Sequence, residues 1–308
     1  MTRLTRRAAM GAAAVLPLAA AGLPAMAAAP KQEPLQQRVR RFDLGDLSVT
    51  TLLANTVTNP SPPQETFGMN VDAETFEQVS REAFIPADVA QFFFTPTLVN
   101  TGERLVLFDT GQSASDIVAA LEAAGHAPGD VDTVVITHMH GDHIGGLMEG
   151  DAETFPNASY VTGQVEYDAW AGMGNEGFEA KVRPLAEKMT FLADGQDVAP
   201  GITAMAAFGH TPGHMTYRLS SGDRSLLIAA DLANHYVWSL AHPDWEVRFD
   251  MDKEAAARAR REVLGMVAAE RMPMIGYHMP FPAVGFVEAA GDGFRWVPES
   301  YQLMLTEA

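Results

Sequence analysis

Six consecutive residues, His138-Met139-His140-Gly141-Asp142-His143, put three imidazoles and a carboxylate directly after the apolar run 131–137. A run rich in β-branched residues predicts a buried strand, and it delivers the chain straight into this cluster. Neither a helix nor a strand points four such side chains at one spot. A tight turn does, and Gly141 relieves the crowding. Desolvating four polar groups beside an apolar strand is costly unless something compensates them. Neutral imidazole nitrogen with a carboxylate for charge balance suits zinc-like divalent cations, so the run reads as a metal-binding turn. The chain has no cysteine. Disulfides, thiolate nucleophiles and cysteine-type zinc sites are thereby excluded, and any metal must be held by histidines and carboxylates.

The rest of the chain supplies the scaffold. Strands are expected at 47–53, 97–100, 104–108, 159–162, 202–208, 215–219, 226–230 and 274–278, with a hairpin near 286–297. Helical spacing of apolar residues predicts helices at 115–124, 164–171 and 252–269, the last capped by Asp252. The proline-rich stretch 55–64 reads as loop, and the glycine-rich 172–177 as part of a rim. Two blocks of strands, each with helices, predict an α/β (α+β) fold with two sheets packed face to face under helices on both outer faces. Three further residues stand where strands break: His214 after Pro212-Gly213, Asp231 and His278. A lone histidine is ordinarily a surface or hydrogen-bonded core residue, and His126, His210 and His242 are read that way.

Residues 1–27 have the three-part layout of a secretory signal: Arg3, Arg6 and Arg7 without an acid, an alanine-rich run, then Ala25-Met26-Ala27. Arg6-Arg7 resembles a twin-arginine export signal. The expectation is cleavage after Ala27, a single domain over 28–308, no lasting membrane anchor, and a periplasmic or secreted product. Loss of the three arginines takes the net charge from −18 to −21. A field of that sign repels phosphate backbones, so nucleic acid is not an expected partner.

The HxHxDH run, followed by His214 in Gly-His-Thr-Pro-Gly-His, by Asp231 and by His278, resembles the metallo-β-lactamase superfamily. The resemblance includes Asp109-Thr110-Gly111 and implies an αββα sandwich with two divalent metals at one edge. It implies that His138, His140 and His214 hold the first metal, that Asp142, His143 and His278 hold the second, and that Asp231 bridges them. Asp109 would orient a ligand or water from outside the set. Zinc is the expected metal, although manganese, iron or cobalt also suit His/Asp ligands. Di-iron members replace the second motif histidine with Glu, class B β-lactamases lack the bridging carboxylate or use Cys, and glyoxalase II-type thioesterases carry a helical C-terminal domain. Within the superfamily the exported methyl parathion hydrolase and lactonase-like branch looks nearest, through His278-Met279-Pro280-Phe281-Pro282 and Phe294-Arg295-Trp296-Val297-Pro298.

That resemblance implies a metal-dependent hydrolase. Two cations would turn water into hydroxide, with Asp142 and Asp231 as catalytic carboxylates, to cleave a small-molecule ester: a lactone, an aryl ester or an organophosphotriester. The alternatives are a quorum-quenching acyl-homoserine lactonase and, from another class, a non-catalytic periplasmic metal-binding protein. A homodimer is expected by resemblance alone. Phe93, Trp170 and His235 are the candidate substrate contacts.

Overall fold

The structure is a computed structural model that describes residues 36–305; the targeting signal expected over 1–27 lies outside them. Val134 and Val135, adjacent in the strand Thr133–Ile136, face opposite ways into two different cores. This is the period-two geometry of a strand buried on both faces. Its sheet has seven strands, in the order Val39–Leu44, Leu47–Leu52, Thr97–Asn100, Leu105–Phe108, Thr133–Ile136, Ser159–Gly163 and Met189–Leu192. The last four run parallel, the others antiparallel.

A second seven-stranded sheet runs Asp197–Ala199, Ile202–Ala206, Met215–Ser221, Arg224–Ala230, Met274–Gly276, Val284–Ala290 and Gly293–Pro298. Between the sheets lies one core, where Val49, Val106, Phe108 and Val135 meet Ile202, Tyr217, Leu226 and Ile275. On the outer face of the first sheet, Ile117 and Leu121 of the helix Ala114–Ala123 pack with Trp170 and Phe178. On the outer face of the second, Val263, Leu264 and Val267 of Lys253–Glu270 cover Leu227 and Met274. The layers are therefore helix, sheet, sheet, helix, as the sequence predicts. Among the described residues no helix is long and apolar enough to cross a membrane.

Helix ends follow local chemistry. Ser113 and Asp252 accept backbone N–H bonds from Asp116 and Ala255 at the starts of their helices, satisfying donors that the first turn leaves free. Two expectations need correction. Within the predicted loop 55–64, Asn55–Asn59 is a strand paired with Ala90–Phe94; the prolines start only at Pro60, after the pairing ends. The last two residues of the predicted glycine-rich rim, Glu176 and Gly177, enter a helix, Glu176–Lys181, because Asn175 accepts from the Phe178 N–H and caps it. A helix that the periodicity left unassigned, Ala73–Glu82, packs Phe76 against Trp238 and Trp245 in a satellite cluster.

Candidate metal centre

Four polar residues of the site follow the carboxyl ends of strands. Leu105–Phe108 leads to Asp109, Thr133–Ile136 to His138, Arg224–Ala230 to Asp231 and Met274–Gly276 to His278. Asp109 and Ala230 take left-handed backbone, with φ of 61° and 47°. Such strain in non-glycine residues is retained where surrounding structure enforces it, and at Ala230 it ends the strand one residue before Asp231. His140 precedes a single helical turn, Gly141–Ile144, which brings Asp142 and His143 back towards His138.

Two groups of ligand atoms result. His138, His140, His210 and Asp231 offer atoms within 4.8 Å of one another, and so do Asp142, His143 and His278. Asp231 lies between the groups. Its Oδ2 is 3.1 Å from His278 Nε2 and 3.3 Å from His210 Nε2, and its Oδ1 is 3.1 Å from His143 Nε2. Asn234 Nδ2 donates to Oδ2 at 2.8 Å and holds the carboxylate in place.

The outer ring nitrogens decide what the inner ones are. His143 Nδ1 meets Asp109 Oδ2 at 2.8 Å, His210 Nδ1 meets Asp250 Oδ1 at 2.9 Å, and His278 Nδ1 meets the Phe93 carbonyl at 2.8 Å. Carboxylates and carbonyls only accept, so each Nδ1 carries a hydrogen and Nε2 is the atom that a neutral ring would offer to a cation. Thr137 Oγ1 donates to Asp109 Oδ2, which leaves it to accept from His138 Nδ1 at 3.1 Å. The Nε2 atoms of His138, His143, His210 and His278 therefore converge on one carboxylate. His143 Nε2 and Asp231 Oδ1 are buried without a hydrogen-bond partner. This donor set fits divalent cations, with outer partners that fix ring orientation.

The cluster's own charges show the same demand for positive charge. Burial holds His140 down to about 3, helped by the charge on His210. Burial also opposes protonation of His210 and His278, yet Asp231 with Asp250 pushes the first up to about 9, and Asp231 with Asp142 pushes the second up to about 10. Burial works against the charge on Asp142, but His143 and His278 bring its carboxyl down to about 2.

Of the residues singled out from sequence, His138, His140, Asp142, His143, Asp231 and His278 come together, with Asp109 behind them. His214 does not offer a ligand atom. Its Nδ1 bonds the Ala207 carbonyl at 3.2 Å and its Nε2 accepts from the Asp231 N–H at 3.1 Å, so the backbone uses both nitrogens. His210 stands in its place. His214 directly precedes the strand Met215–Ser221 and is drawn beneath the site, whereas His210 lies in the preceding loop and reaches it. The two histidines of Gly-His-Thr-Pro-Gly-His are four apart, and the strand beginning at Met215 was the signal that distinguishes them.

Sequence reasoning also missed Glu166, which is fully buried. Its carboxylate accepts from Met139 N–H at 2.9 Å, and from Thr211 Oγ1 and Gly213 N–H at 2.8 Å each. It thus ties the histidine-rich turn to the loop that carries His210. A Cβ on Gly213 would collide with the Glu166 backbone, so only glycine permits this approach. In a helical pattern a lone Glu looks like a surface residue.

A cleft of about 720 Å³ opens over the centre, with Val57, Phe92, Phe94 and Phe249 as apolar walls and His140, Asp142, Asp231 and His278 at its floor. None of the expected substrate contacts lines this cleft. Phe93 faces away from this cleft, because strand alternation gives the cleft Phe92 and Phe94. Trp170 is buried in the outer core, edge-on to His140 at 5.7 Å between ring centroids. His235 caps the helical turn Tyr236–Ala241 through Nδ1.

The comparisons with known proteins agree with this architecture. The chain is similar to AidC, a dizinc quorum-quenching lactonase solved with a product, at 25% identity and a TM-score of 0.79 over 86% of this chain and 98% of that one. It is also similar to the hydrolase AbOPH, at 23% identity and a TM-score of 0.80 over 87% and 100%. A hydroxyacylglutathione hydrolase of Dechloromonas aromatica is 33% identical over 135 residues, 44% of this chain and 42% of that protein. An N-acyl homoserine lactonase of Bacillus cereus is 27% identical over 112 residues, 36% and 42%. The matched stretches thus span less than half of these two curated relatives. The metallo-beta-lactamase superfamily pattern matches residues 95–273, more than half of the chain, and the protein belongs to that superfamily.

Proposed function

We propose that this protein is a di-metal hydrolase of uncharged ester-type bonds: lactones, aryl esters or organophosphotriesters. One observation carries the reading: four imidazole Nε2 atoms converge on the Asp231 carboxylate at the floor of an apolar cleft. His138, His140 and His210 would hold one cation and Asp142, His143 and His278 the other, with Asp231 shared. Two such ions, zinc being the favoured pair, would supply Lewis-acid polarisation and a lowered pKa for water.

The chain's own residues do the rest. Asp142 is partly open to the cleft, with Oδ2 3.3 Å from His278 Nε2, and is placed to take a proton from water there. Asn234 fixes the orientation of Asp231. Phe92, Phe94 and Phe249 exclude water around the scissile group and suit a neutral apolar substrate. The formal charge of −18 disfavours anionic ones.

The likeness to a dizinc lactonase favours lactones within this class, and makes an acyl-homoserine lactone the first substrate to try. The test is a panel of an aryl acetate, a lactone and a phosphotriester, each assayed with and without chelator. Metal-dependent turnover of at least one supports the reading, and turnover that survives complete metal stripping overturns it. Export is proposed on the N-terminal signal. Reporter export driven by residues 1–30 should fall when Arg6 and Arg7 become Lys.

A further inference from the structure

Tyr277 stands where several parts of the candidate centre meet. It follows the strand Met274–Gly276, directly precedes His278, and is buried. Its N–H donates to the Ala230 carbonyl at 3.3 Å, one residue before Asp231. Its hydroxyl donates to the Asp142 carbonyl at 2.6 Å, across 135 positions of sequence. Its ring packs on His143, with centroids 4.0 Å apart and planes at 33°. One side chain thus touches both ligand residues of the turn Gly141–Ile144 and is continuous with the third of that group, His278.

The turn needs such a partner. A helix of one turn is not self-supporting, and its last carbonyls have no internal donors. A longer helix would aim the Gly146 N–H at the Asp142 carbonyl, but that N–H donates to Thr110 Oγ1 at 3.2 Å. The Tyr277 hydroxyl supplies a donor instead, from the strand end that carries His278. His143 is held separately, since its carbonyl accepts from the Thr110 N–H and hydroxyl and its Nδ1 bonds Asp109. Among the described residues, the bond from Tyr277 is the one that reaches the Asp142 main chain from outside the turn. It joins the two segments where Asp142 Oδ2 comes within 3.3 Å of His278 Nε2. Among the same residues, none of its hydrogen bonds or ring contacts goes to His138, His140 or His210.

We propose that Tyr277 is the positioning residue of one metal site alone. Its hydroxyl sets the spacing of Asp142, His143 and His278, and the His138/His140/His210 group is indifferent to it. The proposal rests on the di-metal reading above. Asp250 is the counterpart for the other group, because it holds His210 Nδ1. Each half of the centre thus has its own outer support, so one cation can be loosened without the other.

Tyr277→Phe keeps the ring and the backbone and deletes only the donor. Tyr217→Phe is its control, because that hydroxyl is buried in the core between the sheets without a hydrogen-bond partner. The zinc-loaded full chain is titrated with a graded chelator, and metal retained per chain is read by elemental analysis. In Tyr277→Phe one equivalent should leave about 10–100-fold more readily, the usual scale for loss of an outer partner. The other should stay within about twofold of wild type, and Tyr217→Phe should release both as wild type does. Asp250→Ala should loosen the opposite equivalent, so combining it with Tyr277→Phe should loosen both. A double variant that still holds one equivalent as tightly as wild type would place both residues at one site and overturn the proposal. Unchanged release in Tyr277→Phe would overturn it too, as would equal loosening of both equivalents, the result of a general loss of packing. A zinc-loaded wild type that cleaves no ester, with one equivalent still selectively loosened in Tyr277→Phe, would uphold the positioning role and remove the hydrolase reading.

Discussion

Asp250 Oδ1 accepts from His210 Nδ1 at 2.9 Å, and the other oxygen of the same carboxylate accepts from Arg260 at 2.8 Å. All three side chains are buried, and Arg260 is itself fixed by the Pro243 and Trp245 carbonyls. The helix Lys253–Glu270 is thereby connected to the metal centre through one carboxylate. Asp250→Ala should lower metal affinity at the His138/His140/His210 group by about 10–100-fold, measured as retained metal per chain against a graded chelator. Full affinity would show that His210 needs no such partner.

His210 and His214 make a decisive pair. His210→Ala should bind one metal equivalent fewer than wild type and lose most turnover. His214→Gln keeps polar atoms near the Ala207 carbonyl and the Asp231 N–H, and should retain both equivalents at some cost in stability. Elemental analysis of the purified variants decides between them, and the reverse pattern would restore His214 as the ligand.

Glu166→Ala leaves the Met139 N–H, the Thr211 hydroxyl and the Gly213 N–H without their acceptor. Each buried unpaired group costs about 1–3 kcal/mol, so a total loss of about 3 kcal/mol or more is expected. Denaturant unfolding should show a lower midpoint with an unchanged slope.

Trp170→Ala and Phe92→Ala separate core from cleft. Truncating the buried Trp170 should destabilise by about 3–5 kcal/mol and leave KM for an aryl ester nearly unchanged. Phe92→Ala should raise KM several-fold with a smaller loss of stability. Paired unfolding and steady-state measurements check both.

Metal removal should lower thermal stability without erasing the fold. The ligands project from strand ends, while the three layered cores contain none of them. Ligand linkage at about 100 times Kd contributes about 2.7 kcal/mol, so the chelated protein should keep its far-ultraviolet circular dichroism and melt several degrees lower. Loss of all secondary structure on chelation would contradict this.

Local pattern made much of this legible from sequence. The buried strand within 131–137, the Asp252 cap and the helix 164–171 all follow from short-range periodicity and hydrogen-bonding chemistry. The histidine-rich turn was readable because its ligands are neighbours in the chain. What failed depended on direction. Phe92, Phe93 and Phe94 are alike in composition, and only the pairing of Ala90–Phe94 with Asn55–Asn59 decides which of them face the histidine-carboxylate cluster.

The sequence by itself determined the strands that lead to Asp109, His138, Asp231 and His278, the Asp252 cap and the kind of atoms that could hold a metal, because these depend on residues a few positions apart. Tertiary structure alone decided that His210 and not His214 enters the centre, that Asp250 and Glu166 stand behind it, and that Trp170 belongs to the core. These outcomes rest on which buried donor or acceptor is left for each group once distant backbone has taken its share. Only the packed chain brings Asp231, 17 residues beyond His214, close enough to occupy that histidine's second nitrogen.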